Sequence, residues 1–210
     1  MLEPRRILVL AAHTDDGELG CGGSIAKFCR EGKKIFYAAF SICSLSLPDN
    51  IPADTLAHEC KKATLVLGIN KEDLIIHDFE VRKFPAARQE ILEQMILLKK
   101  QIEPDLVFIP SVFDMHQDHG VIHAEGLRAF KNAAILGYEL PWNQTRFNSD
   151  FFIKLTTEEI HKKLEAIKTY KSQLHRRIMQ EEIILSLARI RGVQVDTEYA
   201  EAFELYRMII

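Results

Sequence analysis

The segment ILVLAAHTDDGELGCGGS, residues 7–24, decides the fold class. Its first six residues are all apolar and rich in branched side chains, which is typical of a central β-strand covered on both faces. Polar residues follow at once, and Gly22 and Gly23 then lead into an apolar stretch that predicts a helix ending near Gly32. A buried strand, a polar loop and a helix form the first part of a β–α–β unit with a parallel sheet.

The chain up to residue 130 repeats this alternation of strand and helix. The further predicted strands are residues 35–41, 74–76 and 106–109. The further predicted helices are residues 53–67, 86–102 and 119–130. The pattern predicts an α/β fold with a Rossmann-like, mostly parallel sheet and helices on both faces.

The last third of the chain has a different pattern, which predicts a C-terminal strand/helix extension. Residues 135–139 and 151–155 are strand candidates. Thr156 and Glu159 form a capping box, from which a long helix with a polar face is predicted to run to about Arg189. Because no low-complexity linker separates this part from the rest, residues 1–210 are expected to form a single domain.

The composition is typical of a folded protein and excludes several classes of function. With 27 basic and 30 acidic residues the formal charge is -3, so no basic surface for a nucleic acid is expected. No apolar run is long enough to span a membrane, and the N-terminal run is too short for a signal peptide. The four cysteines show no C-x-x-C spacing and are expected to be reduced thiols. The expected location is the cytoplasm, without a membrane partner, and self-association into a homo-oligomer is left open.

Two polar segments follow predicted strands. Residues 13–16 (HTDD) come directly after the first strand, and residues 114–119 (DMHQDH) follow strand 106–109. The carboxyl ends of parallel strands meet at one edge of a sheet, which is where ligands bind in such folds. The two histidines of H-x-x-H are alone a weak signal, because roughly 0.3 such pairs are expected by chance. The two segments together predict a shared site, where a divalent cation would relieve the repulsion between adjacent carboxylates.

Residues 13–23 (HTDDGELGCGG) and 116–119 (HQDH) resemble the LmbE/PIG-L family of zinc-dependent N-acetyl-sugar deacetylases. Similarity extends to residues 104–108, 170–173 and 200–203, so it covers nearly the whole chain. The resemblance implies that His13, Asp16 and His119 bind the metal ion, which would be Zn²⁺ or another divalent metal such as Fe²⁺. Three protein ligands and one open position are the arrangement of a catalytic zinc ion.

Three further residues have implied roles in the reaction. The resemblance makes Asp15 the general base and His116 the residue that polarises the reacting carbonyl and protonates the leaving amine. Asp118 would orient His116 and favour its imidazolium form. The implied function is a metal-dependent hydrolase that removes acetate from an N-acetylated amino sugar, such as an N-acetylglucosamine conjugate or a nucleotide sugar.

The chain departs from the family pattern at two positions. Thr14 stands where the family usually has proline, and Leu56 stands where many members have an arginine, three residues before Glu59. Arg82 and Arg88 are the candidates to bind substrate in place of that arginine. A solvated surface role is the competing interpretation of both arginines.

Other interpretations of these residues stay open at this point. A sugar-binding protein with a non-catalytic metal site is one alternative. Two histidines and a carboxylate also occur in non-haem iron oxygenases, but those sites are expected on an all-β scaffold. His123 lies one helical turn after His119, yet it is interpreted as a side chain behind the ligands or in the core. Glu201 either lines the site or, as is usual for an acidic residue near a C-terminus, is solvated.

Overall fold

The computed structural model describes residues 3–48 and 50–209. Its strands are β1 (Arg6–His13), β2 (Lys34–Ser41), β3 (Leu74–Ile76), β4 (Leu106–Pro110), β5 (Ala134–Tyr138), β6 (Phe151–Leu155) and β7 (Tyr199–Arg207). Its α-helices are α1 (Asp16–Arg30), α2 (Thr55–Leu67), α3 (Arg88–Ile102), α4 (Gln117–Ala129), α5 (Thr157–Ile167) and α6 (Glu181–Val193).

The described strands form one mixed sheet in the order β3-β2-β1-β4-β5-β7-β6. The first five are parallel, whereas β7 is antiparallel to both of its neighbours. The predicted α/β fold with a mostly parallel sheet and a C-terminal extension is therefore confirmed. Strand β7 was not predicted, although its alternating residues YAEAFELYR complete the extension.

Side chains of β1 alternate between two hydrophobic cores. Ile7, Val9 and Ala11 face the core that is covered by α1, α2, α5 and α6. Leu8, Leu10 and Ala12 face the opposite core, which α3 and α4 cover. Because both faces of β1 are covered, the whole segment is apolar, as expected of a central parallel strand.

The predicted helix from residue 156 to 189 is wrong. The capping box of Thr156 and Glu159 is present, but α5 ends at Ile167 and α6 begins only at Glu181. The residues between them form successive turns. The Ser172 hydroxyl donates a hydrogen bond to the carboxylate of Glu59 in α2. Hydrogen bonds of serine side chains to other groups compete with helix formation.

Helix α1 begins earlier than expected and contains a kink. It starts at Asp16, and Cys21 has non-helical dihedral angles, φ -143° and ψ 23°. The kink frees the backbone N–H groups of Gly23 and Ser24, which donate to the carboxylate of Glu201. Glu201 is buried and also pairs with Lys163 at 2.7 Å, so the expectation of a solvated residue is wrong.

Candidate active site

The two polar segments lie together, as the sequence predicts. Strand β1 ends at His13 and β4 ends at Pro110, and the two strands pair in parallel register from Ile7 and Leu106. Both segments therefore leave the sheet at the same edge. The first bend is short, because α1 starts only three residues after the end of β1.

Three side-chain atoms form a nearly equilateral triangle at this edge. Asp16 Oδ2 lies 3.3 Å from His13 Nδ1 and 3.3 Å from His119 Nε2. His119 Nε2 lies 3.1 Å from His13 Nδ1. Ligands at about 2.0–2.1 Å from a tetrahedral zinc ion are separated by about 3.3 Å, so the donor set fits such an ion. His13 and His119 also group with His116, and the possible ligand atoms of these three histidines lie within 4.8 Å of one another.

The other ring nitrogens of the two predicted ligands bind carboxylates. His119 Nδ1 lies 2.7 Å from Asp114 Oδ2, and His13 Nε2 lies 3.1 Å from Asp118 Oδ2. This pairing is typical of metal-binding histidines, because the carboxylate orients the ring and fixes its tautomer. Asp114 belongs to the predicted segment, but its role could not be assigned from the sequence because its partner is decided by how α4 begins.

The Asp118 carboxylate does not hydrogen-bond His116, so the expectation that this carboxylate orients His116 is wrong. Its carboxylate contacts His13 and accepts hydrogen bonds from the backbone N–H groups of Arg82, at 2.6 Å, and Phe84, at 3.3 Å. Since α4 has just begun, residues 116 and 118 point in different directions. Asp118 contacts His116 only through its backbone N–H, which donates to His116 Nδ1 at 3.2 Å.

His116 favours the neutral form in this arrangement. Burial and the neighbouring His13 and His119 lower the pKa of His116, and Asp118 opposes them more weakly. The hydrogen bond that Nδ1 accepts places the single ring proton on Nε2. The expectation that a carboxylate would hold His116 as an imidazolium ion is therefore wrong for the metal-free protein.

The adjacent carboxylates Asp15 and Asp16 differ in their protonation behaviour. Burial and the charge of Asp16 raise the pKa of Asp15, although Arg176 Nη1, 3.1 Å from Asp15 Oδ2, lowers it. Burial would also raise the pKa of Asp16, but His119 and His13 outweigh it and hold the pKa well below its usual value. Environments that separate two pKa values in this way divide acid–base roles between neighbouring groups. These directions favour Asp15 as the group that accepts a proton and Asp16 as the group that stays ionised.

The pKa of His119 indicates that zinc affinity depends on pH. Burial lowers this pKa, but Asp16 and Asp114 outweigh burial and raise it to about 10. The metal-free protein therefore holds a proton on His119 at pH 7, which a metal ion must displace. Burial lowers the pKa of His13, the other histidine of the triangle, but Asp16 and Asp118 outweigh it and raise that pKa too. Between pH 6.5 and 9 we therefore expect the zinc association constant to rise at least about tenfold per pH unit, with one or more protons released. Calorimetry in buffers of different ionisation enthalpy measures the released protons, and a pH-independent affinity would contradict the prediction.

These residues open onto a cavity of about 400 Å³. Outside the clusters described above, its lining includes Ser46, Leu56, Arg82, Trp142, Gln173 and Arg176. Arg82 thus lies at the cavity, and its binding of substrate stays a prediction. Arg88 is absent from the described lining, because its guanidinium group pairs with the buried Glu125 of α4. The prediction that Arg88 binds substrate is wrong.

Sequence reasoning missed Arg176 and the segment that carries it. Residues 168–180 were expected to be helical, with Arg176 on the polar face of the helix. Instead Glu59 accepts hydrogen bonds from Ser172 N, at 2.9 Å, and Ser172 Oγ, at 2.6 Å, and this anchors the segment at the cavity. The resemblance at residues 170–173 was the available signal. His123 stays outside the cluster, with Nδ1 2.9 Å from the carbonyl oxygen of Pro110.

Within the described part of the chain, no helix combines the length and the apolar character needed to cross a membrane.

Known proteins resemble this chain in sequence and in fold. The family model described as "PIG-L: GlcNAc-PI de-N-acetylase" matches residues 8–130. The uncharacterized deacetylase YaiS of Escherichia coli (strain K12) is 30% identical over 176 residues, which cover 79% of this chain and 90% of YaiS.

Two solved structures with low sequence identity share the fold. N,N'-diacetylchitobiose deacetylase from Pyrococcus horikoshii, complexed with its inhibitor MPG, has a TM-score of 0.80 at 20% identity. The superposition covers 97% of this chain and 84% of the Pyrococcus chain. GalB, the 4-carboxy-2-hydroxymuconate hydratase from Pseudomonas putida KT2440, has a TM-score of 0.79 at 20% identity, with 98% of each chain covered. One fold thus hosts different reactions, and a reaction must be argued from side chains.

The family is decided by sequence rather than by fold. The matching family model spans more than half of the chain and includes both polar segments, and the YaiS alignment extends over most of the chain. This confirms the similarity that the motifs at residues 13–23 and 116–119 indicated, and the chain belongs to the PIG-L (LmbE-like) family of deacetylases.

Proposed function

We propose that this protein is a zinc-dependent deacetylase that hydrolyses the acetamide group of an N-acetylated amino sugar. The observation that carries the proposal is the triangle of His13, Asp16 and His119 donor atoms beside Asp15 and His116 in an open cavity. Fe²⁺ is the alternative ion, because two imidazoles and a carboxylate suit both metals. When bound there, the ion would supply Lewis acidity, lowering the pKa of a water molecule to about 7 and polarising a carbonyl group.

Asp15 acts as the general base in this proposal. It takes a proton from the water molecule whose oxygen attacks the acetyl carbon. Its buried carboxylate is held by Arg176, so it faces the cavity in one orientation. As the C–N bond breaks, Asp15 passes this proton to the leaving nitrogen. The products are the free amine and acetic acid, which ionises to acetate on release.

His116 stabilises the negative charge that develops on the acetyl oxygen. Its neutral ring donates a hydrogen bond from Nε2, the role of an oxyanion-hole donor. Of the two roles implied by the sequence, this assignment keeps the polarisation of the carbonyl and drops the protonation of the amine. A neutral imidazole would have to become an imidazolate to protonate the amine. Asp118 is a positioning residue in this proposal, because its carboxylate orients the ring of the metal ligand His13.

The cavity supports a sugar conjugate rather than a single small amide. Its volume of about 400 Å³ lies within the 300–1,000 Å³ typical of sites for drug-sized ligands. Hydrogen-bonding groups for sugar hydroxyls come from Ser172, Gln173 and Asn143, and Trp142 offers an aromatic face. The Pyrococcus horikoshii protein of the same fold is a deacetylase of N,N'-diacetylchitobiose, which is such a substrate.

The deciding experiment is a substrate panel with metal-loaded protein. N-acetylglucosamine, N,N'-diacetylchitobiose, glycosides and nucleotide sugars are incubated with the zinc and the iron(II) forms, and released acetate is followed. We expect acetate from at least one N-acetylated sugar, loss of activity with a chelator and recovery with zinc. If the sugars bind but none is hydrolysed with either metal, the protein is a sugar-binding protein and the proposal is wrong.

Arg176 should matter for turnover, whereas Arg88 should not. Replacing Arg176 by alanine removes the charged hydrogen bond to Asp15, and a bond of this type is worth about 1.5–3 kcal/mol, so kcat/KM should fall at least about tenfold. Arg88→Ala is the matched control, since Arg88 also pairs with a buried carboxylate but on the α3–α4 side of the sheet. Steady-state kinetics of the two variants measures the difference, and an equal loss in both would show that Arg176 has no specific role.

A further inference from the structure

Three buried side chains adjoin the Asp15–Asp16 pair without taking part in the reaction proposed above. They are Glu18 of α1, Tyr37 of β2 and Tyr170 of the segment after α5, and we call them the Glu–Tyr cluster. Each is fully buried. The Tyr37 hydroxyl lies 2.5 Å from Glu18 Oε2, and the Tyr170 hydroxyl lies 2.7 Å from Glu18 Oε1. Glu18 thus contacts both hydroxyl groups, and each hydroxyl has one proton, which it donates to one acceptor at a time.

Both hydroxyl groups also contact the carbonyl oxygen of Thr14. The distance is 3.1 Å for Tyr37 and 2.5 Å for Tyr170. Thr14 is buried, and a buried carbonyl group needs a hydrogen-bond partner. Because the peptide bond is planar, holding the Thr14 carbonyl also fixes the backbone N and Cα of Asp15.

The cluster contacts the chain on the other side of the two aspartates as well. The backbone N–H of Gly17 donates to the Tyr37 hydroxyl at 3.1 Å. Glycine permits this approach, since a Cβ atom at residue 17 would lie 2.7 Å from the Tyr37 oxygen. One hydroxyl group therefore holds residue 14 and residue 17, and the two aspartates are fixed between these points.

The fixed backbone explains why two adjacent carboxylates point to different partners. Asp15 Oδ2 lies 3.1 Å from Arg176, whereas Asp16 Oδ2 lies 3.3 Å from both His13 and His119. Tyr170 additionally joins the wall of the cavity to the cluster, since Arg176 follows it on the same segment. A shift of the Thr14 carbonyl would therefore move Asp15, Asp16 and the cavity wall at Arg176 together.

We propose that Glu18, Tyr37 and Tyr170 are positioning residues, which hold the Thr14 carbonyl so that Asp16 points to the metal site and Asp15 to the substrate. The part that concerns Asp15 rests on the proposed deacetylase function. The part that concerns Asp16 is independent of it, because metal affinity can be measured without any substrate.

Tyr170→Phe removes one hydroxyl group and tests the proposal. We expect the zinc affinity and the kcat at saturating zinc each to fall about tenfold, as for other groups that orient ligands, with KM nearly unchanged. Tyr138→Phe is the matched control. Tyr138 is equally buried, and its hydroxyl also bonds a backbone carbonyl, that of Leu10 within β1 at 3.1 Å. We expect the control to keep both wild-type values.

Thermal unfolding separates positioning from general stabilisation. Both variants lose a buried hydroxyl–carbonyl contact, and Tyr170→Phe also removes a partner of the buried Glu18 carboxyl, so both should lower Tm, Tyr170→Phe by more. Zinc affinity and kcat are therefore compared well below both unfolding transitions. If Tyr170→Phe binds zinc and turns over like Tyr138→Phe, the cluster is only structural and the proposal is overturned. If the wild-type protein hydrolyses no N-acetylated sugar, the proposed function fails, while the zinc affinities still decide the position of Asp16.

Glu18 provides a second, independent comparison. Glu18→Gln keeps groups that can hydrogen-bond both tyrosines, whereas Glu18→Leu keeps the approximate size and removes those bonds. We expect the glutamine variant to bind zinc more tightly than the leucine variant, by about tenfold. Equal affinities in two folded variants would contradict the proposal, and if the leucine variant does not fold, Tyr170→Phe decides alone.

Discussion

Replacing Asp15 by asparagine should lower kcat between about 10²- and 10⁴-fold, the usual contribution of general acid–base catalysis. The amide side chain has nearly the same shape and its oxygen can still accept a hydrogen bond from Arg176, which contacts Asp15 Oδ2 at 3.1 Å. It cannot take a proton from water. We therefore expect KM and the metal content, measured by atomic absorption, to stay close to the wild-type values.

Asp73→Asn is the matched control for this variant. Asp73 is buried like Asp15, and it pairs with a cation, since Lys34 Nζ lies 2.5 Å from its Oδ2. The pair lies at the starts of β2 and β3, at the opposite edge of the parallel strands. The control should retain full kcat. Full activity of Asp15→Asn would mean that another group is the base, and loss of the metal would mean that Asp15 is itself a ligand.

Replacing the neighbouring Asp16 by asparagine should have the opposite signature, with loss of metal as the primary defect. The Asp16 carboxylate lies 3.3 Å from both histidine nitrogens and carries the negative charge of the donor set. A neutral amide oxygen is a weaker ligand. The zinc affinity should fall by more than about 100-fold, beyond the range seen for groups that only orient ligands. Competition with a chromophoric chelator measures this change.

The comparison with His116→Ala decides between two ligand sets. If His13, Asp16 and His119 bind the ion, Asp16→Asn loses zinc and His116→Ala keeps it, with a lower kcat. If the three histidines bind the ion, which their grouping within 4.8 Å also permits, the two variants exchange these results. That exchange would show that the proposed role of His116 is wrong.

Much of the fold could be predicted from local patterns. The apolar residues 7–12 identified β1 because a strand buried on both faces must be apolar throughout. The alternation of strands and helices up to residue 130 then indicated a parallel sheet, and the parallel sheet placed the two polar segments at one edge. The prediction was wrong where local and tertiary preferences differ. Residues 157–190 have a helical pattern, but contacts to Glu59 and Glu18 interrupt it.

The candidate site divides in the same way. The motif residues and their meeting at one edge of the sheet were predictable, because they follow from strand order and from the chemistry of histidine and aspartate. The partners of those residues were not. Asp118 binds His13 rather than His116, Arg176 rather than Arg88 reaches the cavity, and Asp114 orients His119.

The sequence by itself therefore determined the α/β class, the place of the site and the residues with the capacity to bind a metal ion and move protons. Only the tertiary structure decided which nitrogen meets which carboxylate, which arginine faces the cavity, and that Glu18, Tyr37 and Tyr170 hold the loop between them. The physical reason is distance along the chain. Helix and strand patterns reflect neighbours within a few residues, whereas Tyr170 contacts Thr14 across 156 positions, through packing that no local pattern encodes.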